Sequence, residues 1–452
     1  MDTALQNQSA RRLAAGWLLL ALAALGLAAL CAILLVAARS PLFGGFAAPR
    51  DLFRSALVLH VGFAVVVWFL AAAAGLWTLA AGNSSRWRWT ALLLAACGAV
   101  AMAMAPWFGT PTPVLSNYIP VLDSPLFLAG LSAFMAGIAI AGMASLANIL
   151  RKLRSPLIQD QNDRIWHWGA LLSIVAVAAT LGSFAAYLGA AGVPTTAAQF
   201  EMLLWGPGHL LQFVHILLLM TVWILLGEHA LGNAIAPRGW LVGLLWVAAL
   251  PIVVAPGIHL FYSVNNPGFR HAYTLLMSWG AWPAAALLGI GLLVRLVRAP
   301  RTVWQKIQTL PLALSILLFL LGCIFGAAIR GETTLIPAHY HGTVGAITLA
   351  YMAFGYYLLP LFGITAGTGR LMRGQPALYG FGLVILASSL AWAGWLGVPR
   401  KTMHMEISAQ TPAYFAAMGL AGVGGLLAIT GVALFVFNMV RSIYLRHQRG
   451  II

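Results

Sequence analysis

Apolar runs of twenty or more residues recur along the whole chain, and they limit its possible folds more than any other feature. Only 8% of the 452 residues are charged, and the mean hydropathy is +0.92. About 20 consecutive apolar residues are enough for a helix to cross the hydrocarbon core of a bilayer. Helices satisfy their backbone hydrogen bonds internally, as lipid surroundings require. The sequence therefore predicts an all-α, polytopic membrane protein.

Breaks that are charged or rich in turn-forming residues divide the chain into twelve predicted transmembrane helices. The first run, Leu13 to Ala38, is too long for the apolar part of a signal peptide and is predicted to remain as the first span. No soluble segment separates the spans, so residues 1–452 are predicted to form a single membrane domain, a twelve-helix bundle. The helices are predicted to begin near residues 13, 54, 89, 125, 166, 203, 239, 272, 308, 338, 376 and 412.

Basic residues outnumber acidic residues by 25 to nine. In a soluble protein this excess would favour a nucleic-acid partner, but here the bases lie in loops between spans, so no nucleic acid is predicted to bind. When alternate loops are assigned to opposite sides, 18 of the 25 fall on the side of the N-terminus. Because cytoplasmic loops are enriched in Lys and Arg, both termini are predicted to be cytoplasmic in a multi-pass inner-membrane protein. The other side receives Arg39, Arg50, Arg54, Arg270, Arg330, Arg400 and Lys401.

Five histidines from four predicted helices reach a similar depth near the external face. His60 lies early in the second helix and His209 early in the sixth, while His259 lies late in the seventh, which runs outward. His339 and His341 open the tenth helix. One intramembrane histidine alone is compatible with a hydrogen-bonded packing role. Ionisable groups are costly in a bilayer, however, and five at one level indicate a shared functional site.

The spacing of His339 and His341 separates their side chains by about 200° around a helix. Side chains that diverge in this way cannot easily share one metal, but each can ligate a different heme through its imidazole. His60 with His341 would make one heme six-coordinate and low-spin, whereas His339 alone would leave a high-spin heme open to substrate. His209 and His259 could then hold a non-heme metal over that open face.

Four stretches surround these histidines: "LVLHVGF", "LLWGPGH", "APGIHLFY" and "AHYHGTVGAITLAYMAFGYYLLP". Together they resemble subunit I of the heme-copper oxidase superfamily over nearly all twelve spans, and they look most like the C-family oxidases and the related nitric oxide reductases. The resemblance implies two non-covalent hemes, a low-spin b-type heme and a high-spin heme. It also implies one non-heme metal, an active site toward the external, periplasmic side, and a gaseous substrate, NO or O2.

Two departures on the seventh helix bear on the substrate. Oxygen-reducing members carry adjacent histidines there, whereas this chain has Ile258 before His259. C-family oxidases place a redox-active tyrosine six residues before the pair, and that position here is Ile252. Tyr262, one turn after His259, has the wrong offset to replace it. Because reduction of two NO molecules to N2O takes two electrons rather than four, loss of the tyrosine favours nitric oxide reduction.

The non-heme metal needs a ligand besides His209 and His259. Gln212, one turn after His209, is a candidate, and Glu332 or Glu201 could approach from loops. Copper favours imidazole and iron accepts carboxylate, so the sequence leaves the metal as copper or iron. No series of acidic residues leads from the cytoplasmic side to the predicted site, which favours proton supply from outside.

Four cationic side chains of the outer loops are candidates for contacts with heme propionates, because such groups pair well with carboxylates. Ordinary loop charge is the alternative for each of them. They are Arg270, His271, Arg330 and Arg400.

The chain has no CxxCH motif for covalent heme and no cysteine-rich copper motif. Electrons are therefore predicted to arrive through a partner subunit that carries heme c or a cupredoxin centre, unless quinol reduces the low-spin heme directly. The favoured function is that of a nitric oxide reductase-like catalytic subunit. A C-family-like cytochrome c oxidase that reduces O2 to water is the alternative, and a non-heme twelve-helix transporter is an alternative of another class.

Overall fold

The computed structural model describes residues 7–44, 46, 48–155, 161–364, 369–408 and 410–448. The all-α prediction is confirmed for these residues, and every long helix begins within six residues of its predicted start. The long helices are α1 Gln8–Arg39, α2 Arg50–Ala81, α3 Arg86–Met104, α4 Pro125–Arg154, α5 Gln161–Ala191, α6 Ala197–Leu231, α7 Arg238–Phe261, α8 Pro267–Val297, α9 Thr309–Ala327, α10 Leu335–Leu358, α11 Arg370–Trp395 and α12 Pro412–Gln448. Short helices lie at Pro41–Phe43, Ala105–Trp107, Arg301–Trp304, Pro360–Phe362 and His404–Glu406.

Two long helices are irregular. Helix α2 has a π-helical stretch, Gly62–Val67, directly after the helical turn that carries His60. Helix α8 is built from two segments, Pro267–Gly280 and Pro283–Val297. Single π-helical turns inside α-helices occur frequently at functional sites.

Eleven of the long helices in the described part of the chain are long and apolar enough to cross a membrane. The one predicted span outside these eleven is α10, the tenth helix, which at 24 residues has the necessary length. Its polar residues, among them His339, Tyr340 and His341, lower its hydropathy. The helix with the most distinctive motif is therefore the one that apolarity alone identifies least well.

Contacts within the chain divide it into two compact units. Four of the divisions fall inside α1, α2, α6 and α8, and the fifth falls between Ile235 and Ala236 in the loop that joins α6 to α7. In the first unit α3 packs on α4 and α5 packs on α7, while in the second α9 packs on α10 and α11 on α12. The single membrane domain stays a prediction. The first unit comprises the chain up to Ala24, Val61–Thr221 and Ala236–Leu288, and the second comprises Leu25–His60, Val222–Ile235 and the chain from Gly289 onward.

Two glycines set the close approach of α9 and α10 in the second unit. A Cβ atom on Gly342 would lie 2.5 Å from the Cα of Gly322, and a Cβ on Gly322 would lie 2.6 Å from the backbone nitrogen of Thr343. Small residues allow such backbone contact between membrane helices. The carbonyl of Gly322 thereby comes within reach of side chains on α10.

A β-hairpin lies between α3 and α4 in the first unit. Its strands, β1 Thr112–Val114 and β2 Val121–Asp123, are antiparallel, with Pro113 opposite Leu122. Val121 and Leu122 are buried, which anchors the hairpin in the unit. The connecting residues 115–120 project toward the start of α6.

Candidate functional site

The second unit brings the two predicted low-spin heme ligands together. His60 lies on α2, and its Nδ1 donates a hydrogen bond to the carbonyl oxygen of Ala28 on α1 at 2.9 Å. His341 lies on α10, and its Nδ1 donates to the carbonyl of Pro337, one turn earlier, at 2.7 Å. Both histidines belong to the same compact unit. Their ligation of a shared heme stays a prediction.

His339 faces α9. Its Nδ1 donates a hydrogen bond to the carbonyl oxygen of Gly322 at 2.8 Å. A Cβ on Gly326 would lie 2.6 Å from the same Nδ1, so the glycine leaves room for the imidazole ring. The two histidines of the HxH motif thus have different surroundings, in keeping with the divergence that their spacing predicts.

These three histidines of the second unit share one tautomer. A carbonyl oxygen can only accept a hydrogen bond, so the Nδ1 atoms of His60, His339 and His341 carry the ring proton. Each Nε2 then keeps its lone pair, and no described residue donates a hydrogen bond to it. Metal-binding histidines commonly hold their second nitrogen in this way. The three side chains therefore fit axial ligation of heme iron through Nε2.

A half-buried arginine of the same unit was not assigned a role from the sequence. Arg39, at the end of α1, has its Nε and Nη2 atoms enclosed without a hydrogen-bond partner among the described residues. Arg39 belongs to the same unit as Tyr340 and His341. A buried guanidinium is costly unless an opposite charge meets it. The surroundings of Arg39 therefore fit a carboxylate such as a heme propionate.

Two of the predicted propionate contacts lie in the second unit. Arg400 forms a salt bridge with Glu332, and its Nε donates to Oε2 at 2.6 Å. Glu332, a possible metal ligand from the sequence, therefore has an arginine as its partner. Arg330 is exposed and donates a hydrogen bond to the backbone carbonyl of Ile329 at 2.8 Å. Contact of Arg330 and Arg400 with propionates stays a prediction.

The other two predicted propionate contacts lie in the first unit, at the start of α8. The guanidinium carbon of Arg270 lies 4.4 Å from the ring centre of Trp205, and the indole nitrogen of Trp205 donates to the Arg270 carbonyl at 3.2 Å. This stacking is a cation–π contact. His271 is exposed. Their contact with propionates also stays a prediction.

In the first unit His209 is enclosed by aromatic rings near the start of α6, and only 1% of it is exposed. Its Nδ1 donates a hydrogen bond to the Trp205 carbonyl at 2.6 Å. The hydroxyl of Tyr118 donates to its Nε2 at 2.9 Å, and the two ring centres are 4.3 Å apart. His209 therefore has the same tautomer as the histidines of the second unit, and its lone pair points at a phenol.

The hairpin between α3 and α4 delivers Tyr118 to this position. Glu201 of α6 accepts hydrogen bonds from the backbone nitrogen of Asn117 at 2.9 Å and from its side-chain amide at 2.7 Å. A Cβ on Gly208 would lie 2.3 Å from the Cβ of Tyr118, so only glycine leaves room for the tyrosine. Glu201, a possible metal ligand from the sequence, thus holds the hairpin in place.

His259, near the end of α7, meets two hydroxyl groups. Its Nε2 lies 2.9 Å from the Oγ of Ser183 on α5 and 3.0 Å from the hydroxyl of Tyr273 on α8. A Cβ on Gly206 would lie 2.5 Å from that Oγ and 3.0 Å from the Cζ of Tyr273. The ring of Tyr273 also lies beside His209, with ring centres 5.7 Å apart. The two candidate metal-binding histidines thus share a tyrosine neighbour.

The oxygen atoms around these two histidines belong to hydroxyls rather than carboxylates. The side-chain amide of Gln212 lies 3.5 Å from the Gly208 carbonyl of its own helix, at the limit of a hydrogen bond. Ile258 is 7% exposed and has no donor atom. Within the described ranges, no group of three His, Cys, Asp or Glu side chains is arranged to hold a metal ion. A His209–His259 metal site would therefore draw a further ligand from another residue type.

Four side chains beside the histidines were not identified from the sequence. Tyr118 lies 91 positions before His209, and no spacing rule connects the two. One usable signal existed, because glycines on both sides of Pro207 in "WGPGH" indicate that other groups pack closely there. The four are Arg39, Tyr118, Ser183 and Tyr273.

The fold and its histidines define a class, the multi-pass membrane oxidoreductases of the heme-copper type. The family model for cytochrome c and quinol oxidase polypeptide I matches residues 12–427. The chain belongs to this family, the heme-copper oxidase subunit I family. Membership makes it an oxidoreductase rather than a transporter. Proteins of this family typically bind hemes and a further metal centre and work with electron-donor partners.

Relatives match the chain over different shares of its length. An uncharacterized protein of Rickettsia prowazekii is 26% identical over 505 aligned positions, 94% of each chain. An uncharacterized protein of Aquifex aeolicus is 27% identical over 80% of this chain and 88% of its own length. Subunit 1 of a Thermus thermophilus cytochrome c oxidase is 30% identical over 26% of this chain and 22% of its own.

A solved structure of a heme-copper terminal oxidase dimer matches the fold with a TM-score of 0.75. The match covers 96% of this chain and 84% of that one, at 16% sequence identity. At this identity the likeness shows the fold.

Proposed function

We propose that the chain is the catalytic subunit of a nitric oxide reductase, which converts two NO molecules to N2O. The observation that carries the proposal lies on α7, where His259 is the only histidine and the preceding residue, Ile258, is buried. A second imidazole is therefore missing from the position where oxygen-reducing members carry one. Oxygen donors surround His259 in its place.

The histidines have separate roles in this proposal. His60 and His341 hold a low-spin b-type heme, and His339 holds a high-spin heme. His209 and His259 hold the non-heme metal. The support is the common tautomer of four of these side chains, which leaves an Nε2 lone pair for ligation. When bound, the hemes and the metal supply electron transfer and the positions at which NO binds.

Reduction of two NO molecules consumes two electrons and two protons and yields N2O and water. We propose that the protons come from the external side, because the acidic residue beside the candidate metal site, Glu201, lies at the external start of α6 as the topology predicts. The polar groups that continue from it are Asn117 and Tyr118 of the hairpin. Electrons come from a partner subunit with heme c or a cupredoxin centre, or directly from quinol. The enzyme lies in the inner membrane with its active site toward the periplasm.

Reduction of O2 to water is the second candidate, and a specific observation favours it. The hydroxyls of Tyr118 and Tyr273 lie within 3.0 Å of the two histidines, so a phenol is present even though position 252 is isoleucine. Two of the similar proteins also carry the name of an oxidase, the cytochrome c oxidase of Thermus thermophilus and the solved heme-copper terminal oxidase. Whether the substrate is NO or O2 therefore depends on whether these phenols donate electrons or serve another purpose.

Turnover of the purified complex with an artificial electron donor tests the proposal. Under anaerobic conditions we expect N2O from NO at a rate well above the rate of O2 consumption in a parallel assay. His209→Ala and His259→Ala should each stop N2O production and keep the low-spin heme spectrum. Brisk O2 consumption with no N2O from NO would establish the oxidase alternative.

A further inference from the structure

Two tyrosines reach the two histidines of the candidate non-heme site. The hydroxyl of Tyr118 lies 2.9 Å from the Nε2 of His209, and the hydroxyl of Tyr273 lies 3.0 Å from the Nε2 of His259. For His209 this Nε2 is the unprotonated nitrogen, because Nδ1 donates to the Trp205 carbonyl. The phenol oxygen of Tyr118 therefore lies where a metal-binding lone pair points.

The start of α6 is shaped to admit both phenols. A Cβ on Gly208 would lie 2.3 Å from the Cβ and 2.6 Å from the Cγ of Tyr118. A Cβ on Gly206 would lie 3.0 Å from the Cζ of Tyr273. A methyl group on Gly208 would displace Tyr118 from His209, whereas one on Gly206 would collide with the Oγ of Ser183 at 2.5 Å and crowd the ring of Tyr273. The two glycines of "WGPGH" therefore leave room for both phenols on one helical turn.

Other oxygen donors of the first unit that the sequence suggested have different partners. Glu201 accepts two hydrogen bonds from Asn117, and the side-chain amide of Gln212 is turned toward the Gly208 carbonyl. Among the described residues, Ser183 provides a further hydroxyl beside His259, 3.2 Å from the Tyr273 hydroxyl. The donor set around the site therefore consists of two imidazole nitrogens and hydroxyl oxygens. Oxygen donors shift the preference of a mixed site from copper toward iron.

We propose that the phenol oxygens of Tyr118 and Tyr273 join His209 and His259 as ligands of the non-heme metal, in place of the histidine that Ile258 replaces. The proposal rests on the proposed function only in requiring a metal at these two histidines. Metal binding releases the phenol protons to water, since the coordinating form is the phenolate. In the metal-free protein, hydrogen bonds hold each phenol oxygen beside the histidine Nε2 that would bind the same metal ion.

Resonance Raman spectroscopy of the purified, oxidised complex tests the proposal directly. Excitation away from the heme Soret band should enhance tyrosinate vibrations, and these should shift when the protein is made with ring-deuterated tyrosine. Tyr118→Phe and Tyr273→Phe should each weaken the tyrosinate bands and speed the loss of non-heme metal to a chelator by roughly tenfold or more. Heme content serves as the folding check for each variant.

Tyr187→Phe is the matched control. Tyr187 lies in the same unit, is 2% exposed, and its hydroxyl donates to the Gln199 carbonyl at 3.1 Å rather than to a histidine. Its replacement removes one buried phenol oxygen and should leave the tyrosinate bands and the metal content unchanged.

The outcomes separate this proposal from the proposed function. Two results together would overturn phenol ligation and leave the two-histidine site unaffected. The metal-loaded protein would show no tyrosinate bands, and the metal would be retained equally in Tyr118→Phe, Tyr273→Phe and Tyr187→Phe. A wild-type complex that holds no non-heme metal after reconstitution with iron or copper would overturn both. If both site variants lose the tyrosinate bands and Tyr187→Phe keeps them, the two tyrosines are established as metal ligands. This result would hold whether the enzyme reduces NO or O2.

Discussion

Replacement of Gly342 by alanine tests whether the contact between α9 and α10 positions His339. The new Cβ would lie 2.5 Å from the Cα of Gly322 and 3.0 Å from the carbonyl oxygen of Leu318, both backbone atoms that cannot rotate away. Ordinary contact begins at 3.4 Å, so the helices must separate by about 0.9 Å. The 2.8 Å hydrogen bond from His339 to the Gly322 carbonyl would then stretch to about 3.7 Å, beyond hydrogen-bond range.

The energetic cost has two parts. Overpacking of a tight contact costs about 1–3 kcal/mol. A buried polar group left without its partner costs about 1–3 kcal/mol more. We therefore expect Gly342→Ala to lower the melting temperature of the detergent-solubilised protein. We also expect it to reduce the amplitude of the CO-difference spectrum per low-spin heme, because His339 loses the bond that fixes its tautomer.

Gly291→Ala is the control for this experiment. Gly291 lies on α8 in the same unit, and a Cβ there would meet no atom within 4 Å. Alanine in an open helical position is favoured over glycine by about 0.5–1 kcal/mol, so this variant should be at least as stable as the parent. Equal melting temperatures and equal CO binding in Gly342→Ala and Gly291→Ala would refute the role of the glycine contact.

Three further predictions concern the second unit. His60→Ala and His341→Ala should each abolish the six-coordinate signal in reduced-minus-oxidised spectra, and a low-spin band that survives in both would contradict their assignment. His339→Ala should lose CO binding and keep the low-spin band, whereas retained CO binding would place the high-spin heme elsewhere. Arg39→Met should lower the low-spin heme potential by roughly tens of millivolts, since it removes a buried positive charge; an equal shift in exposed Arg330→Met would contradict a specific role.

The helices could be predicted from sequence because length and apolarity are properties of consecutive residues. Every long helix begins close to its expected position, and even the interrupted α8 was expected as one span. Helix α10 was predicted together with the other spans, although it is not among the eleven helices that length and apolarity identify as candidate spans. The common depth of the five histidines was inferred from helix direction and stays a prediction.

The partners of the histidines could not be predicted, because most of them are distant in sequence or belong to the backbone. The carbonyl that fixes the tautomer of His60 lies 32 positions away at Ala28, and backbone atoms leave no residue-specific signal. Tyr118 comes from a loop whose position depends on the hairpin and on Glu201. Arg39 was counted only as an outward charge, since the sequence does not show that its guanidinium is buried.

Cofactor stoichiometry is the most direct test of the central claim, that five histidines hold two hemes and one non-heme metal. Heme can be measured by pyridine hemochrome and total metal by mass spectrometry on the same purified, wild-type complex. After the heme carried by any partner subunit is subtracted, we predict two hemes and one further iron or copper ion for each copy of this chain. Protein without a Soret band, or with a single non-covalent heme and no further metal, would contradict the account.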